Sequence, residues 1–175
     1  SCTFLARPTA SATITQEGLA VAAESLAGAL HAGRAKRLLD RVHAIHIAER
    51  GADFLEVYRF FLEQSQAPRE SYRQAVRVFR GSLPRGIGPF TKDLSYVRGF
   101  LDVARLIQRE LLGGRIHRIP LVFAGKTSAC DLDDLSSLAD QGLITRPHFV
   151  PPQFRDVQLL GAWCQNVPQP FARAA

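Results

Sequence analysis

The stretch TQEGLAVAAESLAG, residues 15–28, decides how this chain is read. Alanine and leucine dominate it and no strand-like alternation runs through it, so it reads as a helix. Thr15 suits an N-cap and Gly33 a stop, which predicts a helix over 16–32. Glu17 and Glu24 stand seven residues apart, close to two turns, so their carboxylates fall on about the same face. Between Glu17 and Leu30 the only other polar side chain is Ser25, which predicts a helix buried nearly all round. A carboxylate in such a place must be neutralised, paired or bound to a metal. The plainest arrangement puts Glu17 in the first turn, favoured by the helix dipole, and Glu24 opposite an arginine from elsewhere.

Outward from this helix the pattern stays helical. A second helix is predicted over 34–50, with Leu38, Val42 and Ile45 on one face and Gly51 as its stop. DFLEVYRFFLEQS (53–65) is aromatic-rich and half-buried in character, and PRESYRQAVRVFR (68–80) opens on proline with Tyr72, Val76 and Phe79 as an inner stripe. GSLPRGIGPF holds three glycines and two prolines in ten residues, an irregular loop. TKDLSYVRGFLDVARLIQRELL is the longest predicted helix, capped by Thr91 with Asp93 in its first turn. IPLVFAGK is the one compact apolar run that resembles a strand, and DLDDLSSLADQG is a short helix closed by Gly142. From RPHFVPPQF onward the chain is proline-rich and loses periodicity. The fold class is therefore mainly α with at most one or two short strands: a loop or cut end over 1–13, a domain over 14–160 and a tail over 161–175.

At 175 residues the chain is long enough for one domain with a real core. Its net charge is +6, and nineteen of the twenty-two basic residues are arginine. That sign favours acidic partners, nucleic acid among them, but the densest run, GRAKRLLDR (33–41), reads as a solvated helix face. Cys2, Cys130 and Cys164 are far apart and form no CxxC pair, which argues against a disulfide framework and for a reducing, cytoplasmic compartment. No apolar run approaches a membrane span, and the N-terminus does not resemble a signal peptide. The chain begins with Ser and contains no methionine, so a processed or truncated piece is expected.

Three segments in order, TQEGLAVAAESLAG, RVFRG (77–81) and FTKDLSYVRG (90–99), resemble the flavohemoglobin expression-modulating QEGLA motif proteins. The eukaryotic relatives of that family are the microtubule-associated tyrosine carboxypeptidases. LVFAGK (121–126) fits a later, less specific block. The resemblance implies a helical, zincin-like metallopeptidase domain of carboxypeptidase type acting on protein or peptide C-termini. It implies Zn2+ as cofactor, held by two histidines of an HExxxH helix and by the glutamate of QEGLA, which is Glu17 here. Three protein ligands leave one position for a water that the metal acidifies. Glu24 then becomes a candidate for orienting a ligand from behind.

No His-Glu pair occurs in this sequence, so HExxxH is absent. In the family that motif lies upstream of QEGLA, so the chain is expected to be the C-terminal part of the domain, inactive alone, with Glu17 lacking its partner ligands. His43 and His46, with Glu49 following, have a spacing that can hold a metal, but helical geometry places the pair beside solvent. His31, His117 and His148 are isolated. Arg80, Arg85 and Lys92 surround the Gly/Pro loop that leads into a helix N-terminus, an arrangement suited to an anion. For a carboxypeptidase this anion is the substrate's terminal carboxylate, which assigns Arg80 and Lys92 to substrate binding and Tyr96, one turn onward, to the oxyanion.

Two other readings deserve weight. AGKTS (124–128) lacks a P-loop's first glycine, since Pro120 stands there, and is discarded. DLDDLSSLADQGLITRP resembles the helix and exit of a winged-helix domain, yet its Asp131, Asp133, Asp134 and Asp140 would repel phosphates, which argues against nucleic acid as a partner. A non-catalytic helical scaffold that kept the fold is the remaining alternative.

Overall fold

The computed structural model describes residues 3–7, 9–85 and 88–167. Seven α-helices are found among them: α1 (Ala10–Leu26), α2 (Ala32–Glu49), α3 (Phe54–Glu63), α4 (Pro68–Val78), α5 (Leu94–Leu112), α6 (Leu132–Asp140) and α7 (Val157–Gln165). Short 3-10 turns join several of them, and no strand occurs among the described residues. The mainly α reading therefore holds. Two compact units make up the chain, one of residues 1–31 and 98–175, the other of 32–97.

In the first unit α1 begins six residues earlier than its sequence pattern predicts. Thr9, not Thr15, is the N-cap, its hydroxyl accepting from the Ala12 N–H at 3.1 Å, so residues 10–13 of the expected loop are helical. The helix also stops sooner, because Gly28, at φ +72°, leaves the helical region before Gly33 is reached. Nor is α1 buried all round. Ala12, Thr15, Gly18, Leu19, Val21, Ala22 and Leu26 make one buried stripe, while alanines at other positions meet solvent at little cost.

IPLVFAGK is not a strand. Residues Ile116–Phe123 form a 3-10 helix that buries Ile119, Leu121 and Val122. Pro120 brings no N–H for a ladder, and tight local bonds such as Ala124 N–H to the Leu121 carbonyl (2.9 Å) satisfy the backbone instead. The expected aperiodic tail begins inside a helix: Asp156 caps α7 by accepting from Leu159 N–H at 3.0 Å, and Leu160 and Trp163 are buried. Residues 168–175 and Cys2 lie outside the described residues.

The second unit is built on α2, α3 and α4, which pack mutually around Ala44, Ile45, Ala48, Val57, Phe61, Ala75, Val78 and Phe79. Alanines at 44, 48 and 75 let the helices close on the aromatic rings. A full capping box opens α3: Asp53 accepts from Glu56 N–H at 2.9 Å and Glu56 accepts from Asp53 N–H at 2.8 Å. On α4 the inner stripe differs from the expected one. Ser71, Gln74, Ala75 and Val78 face inward, whereas Tyr72 and Val76 are 57% and 46% exposed. The polar members are tolerated inside because they are bonded, Ser71 to the Gln66 carbonyl and Gln74 to Arg41 and Glu70. Thr91 caps nothing with its side chain; Thr91–Asp93 is a 3-10 turn preceded by Phe90.

Candidate functional site

The QEGLA helix is held at three points within its unit. At the first, α1 crosses α5 backbone to backbone. A Cβ added to Gly18 would fall on the Gly99 main chain, 2.6 Å from its Cα and nearer still to its carbonyl. A Cβ on Gly99 would strike the Ile14 carbonyl and lie 2.9 Å from Gly18 Cα. The glycines of QEGLA and of SYVRG are thus the two halves of one crossing. At the second point the Thr15 hydroxyl accepts from Ala129 N–H at 2.8 Å. At the third, Trp163 Nε1–H donates to Ser25 Oγ at 2.9 Å while the indole meets Phe100 edge-on, centroids 5.8 Å apart.

Glu17 and Glu24 are carried by this fixed rod. Both are half-buried rather than enclosed, on the side of α1 turned away from the Thr15–Ala22–Leu26 line by about half a turn. The expectation of a helix buried nearly all round is corrected accordingly, and Glu17, seven residues past Ala10, stands beyond the first turn; the shared face of the two acids stands.

In the second unit the centre is Asp93, 4% exposed. Arg77 grips it in bidentate fashion, Nε to Oδ2 and Nη2 to Oδ1 (2.8 Å), and Arg41 Nη1 lies 4.0 Å from Oδ2. Arg41 is itself oriented by Gln74, its Nε–H donating to Oε1 at 2.8 Å, and Gln74 donates to Glu70 at 2.5 Å. The two guanidiniums differ in character. Hydrogen bonding to Asp93 holds the Arg77 proton above its ordinary value, with a further hydrogen bond to Tyr96 contributing; burial and the neighbouring Arg77 charge push Arg41 down. RVFRG and FTKD therefore meet through Arg77 and Asp93, a pairing the sequence pattern did not reveal. Tyr96 is half-buried beside it.

Arg80 is exposed, its guanidinium 5.4 Å from the centroid of the Phe90 ring. Lys92 and Arg85 are exposed as well. The loop that carries them is tied down by Phe54 N–H to the Pro84 carbonyl (3.0 Å) and Phe90 N–H to the Val78 carbonyl (2.7 Å). Arg80, Lys92 and Tyr96 thus belong to one unit and Glu17 and Glu24 to the other.

A zinc ion needs three or four donors converging on one point. Among the described residues no group of three His, Cys, Asp or Glu side chains is placed to hold a metal. His43, His46 and Glu49 are exposed along α2 and form no such group. The donors present therefore do not fit a zinc site by themselves, and Glu17 would be one ligand of a larger set.

Another buried carboxylate gathers arginines that the sequence pattern does not bring together. Glu110, with no exposed side-chain surface, accepts from Arg109 Nε–H (2.8 Å) and Arg115 Nε–H (3.0 Å), and Arg118 lies 3.6 Å away and bridges on to Asp133. Burial works to raise its pKa, yet the bonds from Arg115 and Arg109 hold it below the ordinary glutamate value. The run RELLGGRIHR carried the only hint, an acid followed by closely spaced arginines.

No helix of the described residues is long and apolar enough to cross a membrane. The family model described as microtubule-associated tyrosine carboxypeptidase matches residues 1–169, and the chain belongs to that family. No curated protein and no solved structure gives a match.

Proposed function

We propose that this member of the tyrosine carboxypeptidase family is part of a zinc-dependent peptidase that trims residues from the C-termini of proteins or peptides. The observation that carries the reading is the family match over residues 1–169. The family's name points to a polypeptide ending in tyrosine as the substrate, and to a microtubule protein in particular. Glu17 is the one zinc ligand we assign to these residues, supported by its place in the QEGLA block on a helix fixed at Gly18, Thr15 and Ser25. Glu24, on the same side of α1, is assigned to orient the ligand set. Zinc, when bound, supplies Lewis acidity toward the scissile carbonyl and acidifies a water.

The chain's own contribution to substrate handling is assigned to the second unit. Arg80 and Lys92, exposed cations flanking an ordered loop, take the substrate's terminal carboxylate. Tyr96 donates a hydrogen bond from its hydroxyl to the developing oxyanion, beside the Arg77 cation that is itself anchored on Asp93. Because the sequence holds no HExxxH and the described residues do not assemble a metal site by themselves, we assign this chain no hydrolytic activity of its own.

Zinc content and tyrosine release from a peptide ending in tyrosine, measured on the protein as its cell makes it, test the reading. Losing an outer-shell partner typically weakens metal binding by roughly 10- to 100-fold, so Glu17→Gln, which alters a direct ligand, is expected to weaken zinc binding by at least that while leaving the melting temperature of the zinc-free protein in place. Unchanged zinc binding in Glu17→Gln would remove Glu17 from the ligand set. A wild-type protein that binds no zinc and releases no tyrosine would establish the scaffold alternative.

A further inference from the structure

One face of α5 within the first unit carries chemistry that the peptidase reading does not use. Arg98, Asp102, Arg105 and Arg109 lie on a single stripe, all within about 60° of arc and spread over about 16 Å of helix axis. They line a pocket of about 300 Å³ whose far wall includes Cys130. The arginine side chains there are 73%, 63% and 50% exposed, so their guanidinium heads reach solvent.

Charge on this face is not balanced. Asp102 stands 4.0 Å from Arg98 and 3.6 Å from Arg105, loose pairs that neutralise one positive charge between two. Arg109 donates to Glu110, but that buried carboxylate is shared with Arg115 and Arg118, and Arg118 also holds Asp133. The ion pairs fall into two separate groups, Arg98–Asp102–Arg105 and Arg109–Glu110–Arg115–Arg118–Asp133, each with one arginine in excess; of the side chains that line the pocket, three are arginines and one a carboxylate, a surplus of two positive charges. Asp131, beside Cys130, does not line the pocket; its carboxylate accepts from the Ser128 N–H at 2.8 Å.

We infer that this pocket binds a phosphate monoester. A surplus of two charges matches a phosphoryl group, which carries about −1.5 to −2 at neutral pH, better than it matches a single carboxylate. Guanidinium forks spaced along one helix face suit its three acceptor oxygens. A volume of about 300 Å³ also leaves room, toward the apolar Leu106 and Ala129, for the group that bears the phosphate.

The test is calorimetric titration of the whole chain with three probes: phenyl phosphate, a five-residue peptide with a central phosphoserine, and the same peptide with glutamate there. Binding of the phosphate probes at least about tenfold tighter than the glutamate peptide is expected, weakening as salt rises. Arg98→Gln and Arg105→Gln should each cost about tenfold; neither touches Glu110, so the fold is not at risk, and circular dichroism checks that. Arg59→Gln, an exposed charge on α3, should change nothing. Tighter binding of the phosphopeptide than of phenyl phosphate would identify a phosphorylated polypeptide as the source, and equal binding a small phosphorylated molecule; both support the pocket. No binding, equal affinity for the glutamate peptide, or an equal loss in Arg59→Gln overturns the inference.

Discussion

The two motif blocks of this chain are fastened in opposite ways. In the first unit QEGLA meets SYVRG through the absence of side chains, Gly18 lying directly on Gly99. In the second, RVFRG meets FTKD through charge, Arg77 clasping a buried Asp93 with Arg41 close behind. A steric joint admits no added atom but is indifferent to pH and salt. An ionic joint has a direction and a stoichiometry, and it fails when one partner is taken away. FTKDLSYVRG contributes to both, with Asp93 near one end and Gly99 at the other, which accounts for a buried acid and a glycine within one short block.

The ionic joint should break hardest. Asp93→Ala leaves Arg41, already disfavoured by burial and by Arg77, facing a like charge with no anion between them. Removing one partner of a buried pair costs about 3–5 kcal/mol. Chemical denaturation should show a loss of that size in unfolding free energy, read as a lower midpoint at unchanged slope. A loss below about 1 kcal/mol would mean that water already screens the pair.

The steric joint comes next. Gly99→Ala places a methyl on the Ile14 carbonyl and against Gly18, and because backbone lies on both sides neither helix can yield without moving as a body. Overpacking costs about 1–3 kcal/mol, and contact with main chain puts this case at the upper end. Against that stands the gain of about 1 kcal/mol in helix propensity on replacing glycine with alanine. A net destabilisation therefore isolates the crossing, and a stabilised variant would show that the helices are not in backbone contact.

This contrast also explains what sequence could and could not disclose. The spans of α2 and α6 were legible because each has a clear periodic face and a glycine just past its end, Gly51 and Gly142. For α1 the motif itself misled: Thr15 looked like a cap because the residues before it are small and polar, yet Thr9 does the capping and Thr15 turns inward to Ala129. The apolar run IPLVFAGK resembles a strand, and a buried extended segment looks the same; Pro120, with no N–H for a ladder, is the one residue in it that argues for the 3-10 turn observed. On α4 Ser71 and Gln74 have the character of surface residues, and only their bonds to Gln66, Arg41 and Glu70, all contributed by tertiary or local structure, let them face inward. Glu17, Glu24, Arg80, Lys92 and Tyr96 could be named from motif blocks, but the pairings Gly18–Gly99 and Arg77–Asp93 join segments far apart in the chain, and single-sequence spacing holds no record of such meetings.

Glu110 sharpens the comparison with the smallest effect. It too is a buried carboxylate among arginines, but all three lie within eight residues of it, and Arg109 and Arg115 are about half exposed and can recover water if it is lost. Its removal should therefore cost less than that of Asp93, about 1–3 kcal/mol. The folded-state pKa of Glu110 lies below its ordinary value of 4.5, so the unfolded chain binds the proton more readily. Stability from this group is then fully present above about pH 5 and is lost as pH falls through the lowered folded value. The difference in stability between wild type and Glu110→Gln should be constant near neutrality and shrink below the ordinary glutamate range. Gly99→Ala should show no such slope, its cost staying flat across the same titration because no proton is bound or released at a glycine crossing. Parallel pH profiles for the two variants would mean that Glu110 draws no more from its arginines when folded than when unfolded.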